Sequence, residues 1–235
     1  MFSPAIFLTL RNKKQLTHDV YELEYVSDQV LSILPGQFLL CDTSVDPKLR
    51  RSYSVSWGEW KSVFFIIKRL PEGKGGSVAI CDQEIGHRMP VWRPMGRFVL
   101  QENFSPKVFI GTGTGFAPLY FQLRSALEKN LQIPLFFLFG VRELRDVFYV
   151  DQLQNWSQMG LLDYEIYCSR ESSPLPEKHH EWRVTEYLTP VRLQELNKNY
   201  DTEFYICGSP AMVTEVRSML SLYGVLPEKV FFEQY

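Results

Sequence analysis

Residues 108–118 read Val-Phe-Ile-Gly-Thr-Gly-Thr-Gly-Phe-Ala-Pro. An apolar run enters a turn with glycine at every second position and leaves into an amphipathic stretch, which requires strand, tight turn and helix start in that order. Backbone without side chains can approach a phosphate at such a turn, and the helix that follows aims its N-terminal dipole at the anion. The usual dinucleotide fingerprint carries a third glycine for helix packing where this chain has Pro118. Proline fits the first turn of a helix, where its missing N–H costs nothing. Such turns also occur without ligands, so the function of this one rests on its surroundings.

The chain has a different rhythm on each side of this turn. Before it come short β-like runs at Val20–Val26, Gln37–Cys41, Ser52–Trp57, Val63–Lys68 and Met89–Trp92, with Pro35-Gly36 opening the second. Short strands at this spacing predict a small antiparallel barrel, interrupted by one helix around Ser77–Cys81. From Lys107 strands and helices alternate. Strands are predicted at Val108–Ile110, Leu135–Phe139, Tyr164–Cys168, Phe204–Cys207 and Val230–Glu233. Helices are predicted at Pro118–Lys129, Val150–Met159, Thr185–Thr189, Arg192–Asn197 and Ala211–Tyr223. Alternation of this kind builds a Rossmann-like parallel sheet with helices on both faces. The boundary falls in the polar, proline-containing stretch Gln101–Pro106, giving a barrel domain over 1–104 and an α/β domain over 105–235.

Composition excludes several classes. A net charge of −2 leaves no electrostatic footprint for nucleic acid. Cys41, Cys81, Cys168 and Cys207 are widely separated, which argues against a local zinc or iron–sulfur site and against a disulfide scaffold. A reduced cytoplasmic protein is expected. The apolar start, Met1 to Leu8, has no preceding basic region and contains Pro4, so it does not read as a secretory signal, and no stretch is long enough to insert in a membrane. His179-His180 has no further ligands nearby and is expected in a solvated loop, with no metal.

Four further segments carry chemistry. Arg51-Ser52-Tyr53-Ser54 offers an arginine for a phosphate, a ring for stacking and a hydroxyl for a reactive ring nitrogen, although an edge strand can read the same way. Lys68-Arg69 precedes Gly73-Lys74-Gly75-Gly76-Ser77, a second glycine loop feeding a short helix, either an anion cradle or a flexible hairpin loop. Cys207-Gly208-Ser209-Pro210-Ala211-Met212 again ends a strand and opens a helix, and in open parallel sheets ligands sit at the carboxyl ends of strands. Val230-Phe231-Phe232 implies a buried last strand that holds Glu233 and Tyr235 in place.

Taken in order, Arg-x-Tyr-Ser, a Gly-Ser loop, Gly-x-Gly-x-Gly-x-x-Pro, Cys-Gly-x-x-x-Met and a terminal Glu-x-aromatic resemble the ferredoxin–NADP⁺ reductase family from Val20 to Tyr235. Pro35-Gly36-Gln37-Phe38, Pro94-Met95-Gly96-Arg97-Phe98, Gly140-Val141-Arg142 and Tyr149 agree. The resemblance implies FAD held by Arg51 on the pyrophosphate, Tyr53 along the flavin and Ser54 near its N5, with Lys68, Gly75, Gly76 and Ser77 holding the rest. Gly111, Thr112, Gly113, Thr114 and Gly115 would receive the nicotinamide dinucleotide pyrophosphate, Thr112 or Thr114 also touching the flavin. Arg142, Gly208 and Met212 belong to the same cofactor-binding half, Met212 as a packing residue of its helix. Cys207 would sit beside nicotinamide C4, Glu233 would complete the polar surround, and Tyr235 would cover the isoalloxazine and move before nicotinamide can stack. Ser169-Arg170, following the strand that ends at Cys168, matches the family's contact with a 2′-phosphate, and a hydroxyl with an arginine fork suits phosphate better than a ribose diol, so NADP(H) is expected over NAD(H). Gly86-His87 stands where the family often has Gly-Asp, and Arg93 where glycine is common; both bear on the adenine side of the flavin or the partner surface.

The expected function is hydride transfer between NADPH and FAD, with electrons passed to a ferredoxin- or flavodoxin-like carrier. Alternatives are an NAD(P)H:flavin reductase that releases free reduced flavin, the reductase component of an oxygenase, and a non-autonomous electron-transfer subunit of a larger complex. Oxygenase reductases often carry a fused iron–sulfur domain, for which this sequence has neither the length nor the cysteines.

Overall fold

A computed structural model describes residues 6–44, 49–129, 131–172, 174–197 and 201–235. Met1–Ala5 of the apolar start lie outside the described residues. The chain divides into two compact units, one reaching to Leu100 with Tyr120–Gln122, the other formed by Gln101–Leu119 and Leu123–Tyr235.

The first unit is a closed barrel of β1 (Ile6–Gln15), β2 (Val20–Ser27), β3 (Phe38–Ser44), β4 (Leu49–Glu59), β5 (Ser62–Lys68) and β6 (Arg88–Val91), in the order β1-β2-β5-β4-β3-β6. Its pairings are antiparallel, as short strands with tight turns dictate. Inward residues Leu8, Leu23, Tyr25, Leu39, Val55 and Phe65 are fully buried and form the core. The strand β1 was not expected. Its first half alternates Ile6, Leu8 and Leu10 inward, but residues from Arg11 to Gln15 are polar and exposed, so no period-2 signal survives there. A single helix, α1 (Gly76–Cys81), lies between β5 and β6.

The second unit is a parallel sheet of β7 (Lys107–Thr112), β8 (Leu135–Val141), β9 (Asp163–Cys168), β10 (His179–His180), β11 (Glu203–Gly208) and β12 (Val230–Gln234), ordered β10-β9-β8-β7-β11-β12. Every residue of β8 is buried, as helices on both faces require. The helices are α2 (Phe116–Glu128), α3 (Val150–Gln158), α4 (Val184–Tyr187), α5 (Pro190–Leu196) and α6 (Pro210–Leu222). Helix α2 starts two residues before Pro118, after a 3₁₀ turn at Gly113–Gly115, so the proline still falls in the first turn. The two histidines are not in a solvated loop. They add an edge strand on β9, where the His180 ring stacks on Tyr167 at 4.9 Å and faces Glu165 at 3.2 Å. Among the described residues no helix is long and apolar enough to cross a membrane.

Candidate functional site

In the barrel unit, β4 carries Arg51, Tyr53 and Ser54, with Cys41, Leu39 and Phe38 opposite them on β3. Tyr53 is half-buried and meets Phe65 edge-to-face at 6.2 Å, which ties its ring to the core. Arg51 lies directly on the start of α1: a Cβ on Gly76 would stand 2.6 Å from its Cγ, so only glycine admits the side chain there. Its Nη2 donates to the Lys74 carbonyl at 3.4 Å. Gly75 takes φ +83°, the left-handed turn that opens the helix. The first intrahelical bond runs from Ala79 N–H to Gly75 O, so the N–H groups of Gly76, Ser77 and Val78 precede the ladder. The Ser77 hydroxyl closes the loop by accepting the Leu70 N–H at 3.1 Å. Lys68 pairs with Asp19 at 2.7 Å and reaches a cofactor only by leaving it.

In the α/β unit, β7 and β11 lie side by side where the strand order reverses, the switch point at which ligands bind in open α/β sheets. Cys207 stands opposite Gly111 on one side and Glu233 on the other. The glycine turn and the end of β11 meet without side chains between them. A Cβ on Gly115 would collide with the Cys207 carbonyl, and one on Gly208, at φ +154°, with the Thr112 hydroxyl. The same hydroxyl accepts the Ser209 N–H at 3.4 Å. Phe116 anchors the turn from below, packed on Phe139 at 4.9 Å and Phe148 at 5.0 Å. Met212 is buried in the core of its helix, beneath Gly208.

Cys207 is fully buried, and burial with the nearby Glu233 carboxylate pushes its thiol well above the ordinary range. It is a neutral small packing group and not a thiolate nucleophile. Tyr235 donates its backbone N–H to Gly208 O at 3.3 Å, and its side chain lies beside those of Thr114 and Cys207. Burial of its hydroxyl, with Cys207 beside it, raises the phenol well above its usual value, although the residue as a whole stays 56% exposed.

At the neighbouring strand ends, Ser169 and Arg170 donate their backbone N–H groups to Val141 O and Arg142 O at 3.1 and 2.8 Å. The acids here are engaged. Glu171 accepts the Leu144 N–H at 3.1 Å, Asp146 accepts the Glu143 N–H at 3.0 Å, and Glu143 pairs with Arg145 at 2.8 Å. Arg142 and Arg170 are exposed, and neither side chain has an ion-pair partner among the described residues. Gly76 and Gly115 let the chain close on Arg51 and on the Cys207 carbonyl, whereas a Cβ at Gly113, φ +54°, would meet nothing within 4 Å; the open Gly113 turn, and the start of α1 beside Arg51, fit the pyrophosphates of a nicotinamide dinucleotide and of FAD. Gly111 of the expected turn, and Gly140 outside the expected site residues, also shape this part of the site. A Cβ on Gly111 would press on Leu119 at 2.8 Å and one on Gly140 on Thr112 at 2.9 Å; glycines flanking a strand end were the available signal.

Comparison with known proteins assigns both units. Residues 7–100 match an oxidoreductase FAD-binding domain and residues 109–218 an oxidoreductase NAD-binding domain. The chain therefore carries one FAD-binding and one NAD-binding oxidoreductase domain, which together span most of its length. The chain is 26% identical over 229 residues to the toluate 1,2-dioxygenase electron transfer component of Pseudomonas putida, covering 96% of this chain and 66% of that protein. It is 28% identical over 232 residues to the xylene/toluene monooxygenase electron transfer component of the same organism, covering 96% and 64%. The chain thus spans about two thirds of the length of these relatives. The ferredoxin–NADP⁺ reductase of Plasmodium falciparum superimposes with a TM-score of 0.80 at 21% identity, over 97% of this chain and 95% of that one, a likeness of fold.

Proposed function

We propose that this reductase draws electrons from NADPH into FAD and passes them singly to an iron–sulfur acceptor, either a ferredoxin or an oxygenase component. The nucleotide choice is carried by Arg142 and Arg170, two arginines without ion-pair partners among the described residues beside Ser169, where every nearby acid is engaged. Guanidinium forks match phosphate oxygens in pairs and gain little from a ribose diol. The acceptor class is supported by the relatives, both electron transfer components of oxygenases.

FAD, when bound, would supply the capacity to accept a hydride and to release electrons one at a time. The chain binds and orients. Arg51 would neutralise the flavin pyrophosphate, Tyr53 would offer its ring to the flavin and Ser54 its hydroxyl. The Gly113–Gly115 backbone would receive the nicotinamide dinucleotide pyrophosphate. Cys207, a protonated thiol, presents a small face that lets the nicotinamide approach closely, and orientation of this kind supplies much of the acceleration. The Tyr235 side chain, which lies beside Cys207 and Thr114, would move before that face is free.

The test is the KM for NADPH and for NADH in wild type and Arg170→Ala, read with an artificial acceptor. Loss of one charge-assisted pair predicts a KM for NADPH higher by about tenfold, with NADH changed less than twofold. Equal effects on both nucleotides would overturn the assignment of Arg170. A colourless protein that reduces added riboflavin would replace the electron-transfer reading with a free-flavin reductase.

A further inference from the structure

Side chains from three separate parts of the barrel converge on the turn that ends α1. Lys13 of β1 donates from Nζ to the carbonyls of Cys81 and Gln83, each at 3.1 Å. Tyr25 of β2, fully buried, donates to Gln83 Oε1 at 2.6 Å. Arg69, just past β5, grips Asp82 with two parallel bonds of 2.8 Å. The helix they hold has six residues and no side-chain cap at its start. A helix this short does not keep its direction unaided. Two cations at its carbonyl end also suit its dipole. Its other end is the wall on which Arg51 lies, in contact at Gly76. Whatever fixes the far turn therefore fixes the surface under Arg51.

We propose that Lys13 and Arg69 are positioning residues for the flavin pyrophosphate: they hold α1 from behind, and α1 holds Arg51. The proposal rests on the assignment of Arg51 to that pyrophosphate. Barrel closure does not need either cation, since β1 closes on β6 through the backbone pairing of Ile6–Thr9 with Arg88–Val91. Both side chains reach the α1 turn from outside the buried core, so their replacement leaves that core intact.

The experiment titrates the flavin-free full chain with FAD and, in parallel, with riboflavin, which has the same ring system and no phosphate, reading flavin fluorescence. Lys13→Met combined with Arg69→Gln is expected to weaken FAD by about tenfold, the size of one charge-assisted hydrogen bond, and to leave riboflavin unchanged. Asp82→Asn, which removes the anchor of Arg69 without altering any cation, is expected to shift FAD in the same direction. Equal weakening of both flavins would make the contacts merely structural and overturn the proposal. Arg51→Gln separates the two layers: if it leaves FAD affinity intact, the Arg51 assignment fails. If Arg51→Gln weakens FAD and the Lys13/Arg69 variant does not, the assignment stands and the positioning role falls.

Discussion

Replacing Lys107 by Met should unfold the α/β half more easily by about 3 kcal/mol. Lys107 opens β7, is fully buried and donates to Glu203 Oε2 at 2.7 Å and Asn103 Oδ1 at 2.9 Å. Glu203, equally enclosed on β11, also receives Tyr205 O–H at 2.8 Å and Asn103 Nδ2 at 2.6 Å. Removing one partner of such a pair typically costs about 3–5 kcal/mol, because a carboxylate is left buried without its counter-charge. The two remaining neutral donors bring the figure toward the lower limit, about 3 kcal/mol. Equilibrium urea unfolding, followed by tryptophan fluorescence, reads the change in midpoint. Lys107→Met with Glu203→Leu removes both charges, and an apolar pair in their place is expected to recover most of the loss. The pH dependence gives a second reading. Burial holds the Lys107 ammonium below its ordinary value, so between that folded value and about 10.4 the unfolded chain binds more protons. Stability from this group therefore rises with pH through that window, and the rise is absent in Lys107→Met. A single variant costing less than about 1 kcal/mol, the level of an exposed pair, would refute the reasoning.

Gly115→Ala drives a Cβ into the Cys207 carbonyl, backbone against backbone, and should abolish flavin reduction by NAD(P)H while FAD remains bound, as absorbance of the purified variant would show. Asp82 and Asp201 are held below the usual carboxylate range, chiefly by hydrogen bonds from Arg69 and Lys229. Their stabilisation is fully present above about pH 4 and is lost as pH falls through their folded values, so the acid limb of a stability profile should shift to higher pH in Arg69→Gln. Tyr235→Ala removes the side chain that lies beside Thr114 and Cys207 and should lower the KM for NAD(P)H by roughly threefold in steady-state assays, as expected when a group that must first leave the site is taken away.

The glycine turns of the candidate site were legible because each needs backbone that only glycine allows, and Gly76, Gly115 and Gly208 each face an atom where a Cβ would sit. The strand–helix alternation after Lys107 was legible for a similar reason, since runs buried on both faces, such as Leu135–Val141, are unbroken apolar segments. What was missed had no local signature. The outer half of β1 is polar, and β10 is two residues long and polar on paper, yet is held by the stacking of His180 on Tyr167. Tyr120–Gln122 belong to the barrel unit although they lie in the first helix of the alternating half, which no boundary drawn along the chain expresses. The contacts of Lys13 and Tyr25 with the α1 turn join residues 58 to 70 positions apart, beyond any sequence window.

The most direct test is anaerobic mixing of the purified, FAD-loaded chain with NADPH and, separately, with NADH, following the visible flavin band in a stopped-flow instrument. Rapid bleaching by both, faster with NADPH at equal subsaturating concentration, is the predicted result. Faster bleaching by NADH would contradict the assignment of Arg142 and Arg170, and a flavin that neither nucleotide bleaches would contradict the account at its centre.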